Sequence, residues 1–212
     1  MANNLQFQSN GDTLNLAAFM RDTKMVGPGL RDAFWVQGCS IRCKGCANQS
    51  YLPHEKRALI PVRQILAHLS LRVGEIDGIS LLGGEPTEQP VAVGNLLCGA
   101  KTLGITTVLF TGRTYEELLD NPMFSKILNY TDLLIDGQFL QNRKDTNLYW
   151  RGSDNQRLIF INHAWSHIMS EHEGVNGEII LSGDKVIYHG IGTQKISFIS
   201  RQLTAFLCLN SY

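Results

Sequence analysis

Two rhythms of apolar residues alternate along this chain. Short runs rich in β-branched and aromatic residues give way to stretches in which apolar positions recur every three or four residues. The run "AFWVQG", Ala33 to Gly38, reads as a buried strand leading into a cysteine-bearing loop. In "PVRQILAHLSL", Val62, Ile65, Leu66 and Leu69 fall at i, i+3, i+4 and i+7, one face of a helix. "GISLL", Gly78 to Leu82, predicts a second strand with a tight exit at Gly83 and Gly84. Val93, Leu96, Leu97 and Ala100 keep helical spacing, and Gly104 stops that helix. Ile105 to Thr111 is a third strand, dense in β-branched residues. "TYEELLD" and "PMFSKIL" predict helical pieces, the second with Pro122 in its first turn. Asp132 to Asp136 is a fourth strand, and after a polar loop to Gln156 "RLIFI" is a further one.

This alternation predicts an α/β domain of parallel strands joined by right-handed crossovers. Ligands in such folds sit beyond the carboxyl ends of the strands. The unusual residues collect there. The cysteines follow the first strand, Gly83-Gly84-Glu85 the second, Thr111-Gly112-Arg113 the third and Asp136-Gly137-Gln138 the fourth. On this reading residues 1–26 form an N-terminal arm and residues 27–164 the core. Residues 165–212 form an extension packed on that core. Within the extension, "GEIILSGDKVIYHG" reads as a β-hairpin turning at Gly183-Asp184, and Ile196, Ile199, Leu203 and Phe206 as a closing helix.

Composition narrows the function classes. At 212 residues and 43% hydrophobic, the chain supports one generous core. Lys plus Arg equals Asp plus Glu at 19 each, so there is no basic footprint for nucleic acid and no polybasic membrane patch. No uncharged apolar run is long enough to cross a membrane. The first twenty residues lack Lys, Arg and a long apolar run, which predicts no secretory leader. Five cysteines with three clustered do not resemble a disulfide framework. They fit a metal or catalytic site in a reducing, cytoplasmic setting.

The cluster lies in "QGCSIRCKGCANQS", at Cys39, Cys43 and Cys46. With His54 it could form a Cys₃His zinc site used for interaction. Alternatively, three cysteines can hold a 4Fe–4S cluster through three irons and leave the fourth without a protein ligand. Unconnected core thiols are the bland reading, but "SIR" and "KG" between them are polar and glycine-bearing, which suits a loop. No second Cys-x-x-Cys knuckle exists, so three ligands and an open position fit best. Elsewhere, Cys98 reads as core and Cys208 as an ordinary thiol. His163, His167, Glu171 and His172 read as a polar surface helix, because no H-E-x-x-H motif is present.

Cys-x₃-Cys-x₂-Cys after a first strand, with "GGEP" after the next, resembles the radical S-adenosylmethionine superfamily. "GPGLRDAFWVQGCSIRCKGCANQS" is similar to the entry segment of glycyl-radical-enzyme activases. "DGQFLQNRKDTNLYWRGSDNQR" is similar to a segment of activases of the anaerobic, class III ribonucleotide reductase. The resemblance spans about residues 27 to 161 and implies a partial (β/α) barrel of the radical SAM type. It implies that Cys39, Cys43 and Cys46 each ligate one iron of a 4Fe–4S cluster, and that S-adenosylmethionine chelates the open iron. Electron transfer then yields a 5′-deoxyadenosyl radical, which installs a glycyl radical on a partner enzyme. Gly45 to Ala47 would pass beside the adenine. Gly83, Gly84 and Glu85 would approach the methionyl amino group, and Thr111 and Asp136 the ribose and methionyl portions. Related activases often carry Lys where this chain has Gln138, so Gln138, Arg113 or Arg151 would meet the methionyl carboxylate. A flavodoxin- or ferredoxin-type electron donor is implied. Modification of a peptide or small molecule is the alternative within the superfamily.

Overall fold

A computed structural model of the chain describes residues 12–162 and the strands 177–182 and 185–190. In chain order the elements begin with β1 (Thr13–Thr23), β2 (Arg31–Val36), β3 (Ala58–Pro61), α1 (Val62–Ser70) and β4 (Gly78–Gly83). Then come α2 (Pro90–Thr102), β5 (Thr106–Phe110), α3 (Tyr115–Leu119), α4 (Pro122–Leu128), β6 (Leu133–Asp136) and β7 (Arg157–Phe160). They build an open seven-stranded mixed sheet in the order β3-β1-β2-β4-β5-β6-β7. The four central strands, β2, β4, β5 and β6, run parallel in neighbouring pairs. Their near-continuous apolar runs suit strands covered on both faces, and Ala33, Ile79, Leu81, Leu109 and Leu134 are fully buried. Helix α1 buries Val62, Ile65 and Leu69, and α2 buries Val93, Leu96, Leu97 and Ala100, the faces that the spacing predicts.

Two expectations are corrected. The arm expected over residues 1–26 is, from Thr13, strand β1 of the main sheet, antiparallel to β2. The cause is period-two alternation: Leu14 and Leu16 enter the core, 0% and 6% exposed, while Thr13 and Asn15 face away from it. The last strand, β7, is antiparallel to β6 and not a further parallel strand. Between them lies a loop with a single 3-10 turn, Gln141–Arg143, and no crossover helix, so the chain doubles back beside β6. The hairpin of the extension is present as β8 (Gly177–Ser182) and β9 (Lys185–Gly190), paired antiparallel with Ser182 opposite Lys185. The expected closing helix, the 163–172 histidine segment and Cys208 lie outside the described residues. Among the described residues, no helix is long and apolar enough to cross a membrane.

The amino-terminal edge of the parallel strands is joined by one buried side chain. Arg31, fully buried at the start of β2, donates from Nε to Ser80 Oγ (2.9 Å) and from Nη1 to Pro28 O (2.8 Å) and Thr106 Oγ1 (3.1 Å). Its Nη2 donates to Ile79 O (2.7 Å) and Thr106 O (3.0 Å), so one guanidinium spans β2, β4 and β5. Burial holds its pKa down at about 9, with Asp77 and Asp132 opposing. Gly78 is required beside it, because a Cβ there would overlap the guanidinium.

Candidate iron–sulfur and cofactor site

The opposite, carboxyl edge begins where β2 ends at Val36. Gln37 N–H donates to Asn15 O (2.9 Å), Gly38 N–H to Tyr51 O (2.8 Å) and Cys39 N–H to Leu52 O (3.1 Å), which closes the cysteine loop onto its own start. Within it, Cys46 N–H donates to Cys43 O (3.1 Å). All three cysteines line one cleft, facing Gly83 at the end of β4 and Gly84 and Glu85 just after it. Thr111 and Gly112 after β5, and Gly137 and Phe139 after β6, complete it. A larger cavity of about 650 Å³ between α2 and α4 is mostly apolar and contains none of the three cysteines.

None of the three thiols is in a disulfide. Burial pushes the Cys39 and Cys43 thiols up, while backbone groups of Arg42 and Ile41 at Cys39, and of Phe139 at Cys43, favour the thiolate. A metal that displaces the proton would find hydrogen-bond donors already aimed at the sulfurs. Among the described residues, no three His, Cys, Asp or Glu side chains converge on the position of a single ion. His54 is held elsewhere, its Nε2 3.2 Å from Ser40 Oγ and 3.5 Å from Glu88 Oε2. Three thiolates from one loop suit a 4Fe–4S cluster, in which each would take a different iron.

Several residues expected to meet a cofactor are engaged by the protein. Glu85, 1% exposed, accepts at Oε1 from Thr87 N–H (3.0 Å), Thr87 Oγ1 (2.7 Å) and Thr111 Oγ1 (2.8 Å). Its Oε2 accepts from Gly112 N–H (2.9 Å), so the carboxylate ties the end of β4 to the end of β5. Thr111 Oγ1 also accepts from Arg113 N–H (3.1 Å). The fully buried Asp136 accepts from Arg157, with Oδ1 3.0 Å from Nε, and from Tyr115 N–H (2.7 Å) at the start of α3. Asp136 does not line the cleft; its neighbour Gly137 does. Gly84 serves the chain itself: its N–H donates to Val36 O (2.8 Å), and a Cβ would overlap the carbonyl of Gly38. Gly83, at φ +109°, brings β4 against Trp35, where a Cβ would overlap the Trp35 backbone, and lines the cleft.

The remaining expectations sit at the margin. Gly45 takes a left-handed φ of +75° beside Gln141, and Ala47 is exposed. Gln138 lines an adjoining groove with Arg42 and Lys44 that shares Cys43 and Phe139 with the cleft, and its backbone carbonyl accepts from Asn155 Nδ2 (2.8 Å). Arg113 donates to Thr87 Oγ1 (2.9 Å) and stacks over Phe124, so its charge is turned from the cleft. Arg151 donates to Gln156 O (3.3 Å), and its buried Nε has no partner among the described residues. Gln156, at the end of the polar loop, lines the cleft and ties the "WRGSDNQ" segment to the end of β6. Its Oε1 accepts from Gly152 N–H (2.8 Å) and its Nε2 donates to Gly137 O (3.0 Å). No composition or period signals that role; the motif alone pointed to it. Cys98 is buried on α2, as its spacing predicts.

The sequence that builds this site has relatives among known proteins. Residues 25–159 match the family model described as a 4Fe-4S single cluster domain. The chain is 39% identical over 137 residues to the anaerobic ribonucleoside-triphosphate reductase-activating protein of Vibrio cholerae, covering 61% of this chain and 87% of that one. It is 34% identical over 149 residues to the protein of the same name from Enterobacteria phage T4, covering 66% of this chain and 91% of that one. The Escherichia coli K12 protein of that name is 33% identical over 138 residues, with 61% and 88% covered. The chain belongs to this activating-protein family. The span matched by the 4Fe-4S single cluster domain model opens before β2 and ends within β7, so every residue that lines the cleft lies inside it. The β8–β9 hairpin lies beyond it.

Proposed function

We propose that this protein is a radical S-adenosylmethionine enzyme that activates an anaerobic ribonucleotide reductase by installing a glycyl radical on it. The observation that carries this reading is three free thiols from one loop on a cleft at the carboxyl edge of parallel strands. The names of the relatives supply the partner. We read the four parallel strands as the partial (β/α) barrel of that superfamily.

Cys39, Cys43 and Cys46 would hold a 4Fe–4S cluster, one iron each. When bound, the cluster and S-adenosylmethionine supply a one-electron cleavage of the sulfonium that gives a 5′-deoxyadenosyl radical able to take a glycine Cα hydrogen. The protein's part is placement and exclusion of water. Glycine backbone at Gly83, Gly84, Gly112 and Gly137 offers close approach along the strand ends, where side chains would obstruct a ligand. Gly45 and Ala47 are assigned to the adenine side. Glu85, Thr111 and Asp136 act by fixing those strand ends, and Gln138 and Arg151 remain the polar candidates for the methionyl carboxylate. A flavodoxin- or ferredoxin-type donor in the cytoplasm would deliver the electron.

Anaerobic reconstitution, reduction and chromatography for 5′-deoxyadenosine test the reading. Wild type should release it and Cys43→Ala should not; equal release by both contradicts the proposal. A precursor-peptide gene beside this one, with no reductase gene carrying a C-terminal glycyl-radical motif, would favour the alternative substrate class.

A further inference from the structure

The short turn after β4 carries three polar side chains aimed in three directions. Glu85 binds the end of β5, as described above. Gln89 binds the other flank: its Oε1 accepts from Asn15 N–H (2.8 Å), and its Nε2 donates to Asn15 O (3.1 Å) and Gln37 O (3.0 Å). Between them, Glu88 reaches into the cysteine loop. Its Oε1 accepts from the backbone N–H of Ser40 at 2.8 Å, and its Oε2 lies 3.5 Å from His54 Nε2, which in turn is 3.2 Å from Ser40 Oγ. The Glu88 side chain is 18% exposed, so its charge is only partly screened. Ser40 adjoins Cys39, the most buried of the three cysteines.

We infer that Glu88 is a positioning residue for the first cysteine: it anchors the Ser40 amide, fixes the Cys39 sulfur against the cleft, and places a negative charge beside the metal group. His54 completes the anchor by bracing Ser40 Oγ and the second carboxylate oxygen. The inference rests on the cluster reading above. A carboxylate close to a redox centre opposes the arrival of an electron, so Glu88 holds the reduction potential down. Anchor and charge are separable by substitution. Glu88→Gln keeps an acceptor for Ser40 N–H and removes the charge, whereas Glu88→Ala removes both.

Two readouts test it. In the metal-free protein, amide hydrogen exchange at Ser40 should be unchanged in Glu88→Gln and about tenfold faster in Glu88→Ala, from loss of one well-formed hydrogen bond. In the anaerobically reconstituted protein, Glu88→Gln should load iron and sulfide as wild type does. Its midpoint potential should rise by about a tenfold shift in the equilibrium, ~59 mV for one electron. Glu88→Ala should load less. Ser40 exchange unaltered in Glu88→Ala overturns the anchor, and an unshifted potential in Glu88→Gln overturns the charge role. Failure of wild type to take up iron and sulfide would overturn the cluster reading and with it the charge role. The anchor would still be judged on the metal-free exchange.

Discussion

The two edges of the parallel strands are built on opposite principles. At the amino edge, Arg31 is buried with every N–H paired, and the neighbouring Asp32 accepts from His68 Nε2 at 2.9 Å and also meets Arg72. Asp132, just before β6, is likewise filled by Lys101 (2.6 Å) and Thr107 N–H (2.9 Å). At the carboxyl edge the carboxylates of Glu85 and Asp136 are as fully engaged, but the three thiols form no disulfide and open onto a cleft where glycines replace side chains. Polar saturation aligns the strands at one end, and the same alignment at the other end holds reactive groups in place without quenching them. Stability and chemistry are thus separated along the strand axis, as expected where ligands bind beyond the carboxyl ends.

Substitution at the amino edge should give the largest loss of stability. Arg31→Met would strand the acceptors of Ser80, Thr106, Ile79 and Pro28, and should cost about 3–5 kcal/mol in urea unfolding. A loss below about 1 kcal/mol, within the net worth of a single hydrogen bond, would show that the buried guanidinium is not the clamp described. At the carboxyl edge, Gly84→Ala drives a methyl into the Gly38 carbonyl. About 1–3 kcal/mol and a clear drop in iron uptake are expected, since the displaced segment leads directly into Cys39. Normal uptake would argue against close packing there.

Glu85→Gln is a smaller perturbation with a pH signature. The amide NH₂ would oppose Gly112 N–H, for about 1–3 kcal/mol at neutral pH. Burial pushes the Glu85 carboxyl above its ordinary 4.5, against donors from Gly112, Thr87 and Thr111. Such a group binds its proton more readily folded than unfolded, so its contribution is fullest below 4.5 and declines as pH rises through the folded value. The Gln variant should flatten that decline in melting temperature; an unchanged slope would count against it. The smallest effect belongs to Glu116, an exposed carboxylate held down at about 2 by hydrogen bonding to Arg157. Its sign is opposite: the contribution is present above 4.5 and fades as pH falls from 4.5 towards 2. Glu116→Gln should remove that shallow acid slope, and an identical slope in the variant would place its origin elsewhere.

Much of this was readable from the chain because burial on both faces writes a continuous apolar run, as in β2, β4, β5 and β6, and a helix writes a period, as in α1 and α2. β1 leaves little trace in the sequence because only Leu14 and Leu16 mark its inner face before partly buried Ala17 and Ala18 blur the alternation. β3 escaped notice because its four residues bury little. The thiol loop was legible because three cysteines in a polar segment have few other uses. The roles of Glu85, Glu88 and Gln89 were not, since a carboxylate bound to a threonine 26 residues away looks in sequence like one reserved for a ligand. Arg31 was hidden for the same reason: long-range partners leave no periodic trace.

The claim that the carboxyl edge holds a multi-iron cluster on three thiolates is tested most directly by metal analysis of wild type and the Cys39→Ala, Cys43→Ala and Cys46→Ala variants after anaerobic reconstitution. The account predicts that wild type binds iron and acid-labile sulfide in equal amounts, near four of each per chain. Each variant should lose most of both while its metal-free melting temperature stays close to wild type. Stoichiometric zinc without iron or sulfide in wild type would contradict it.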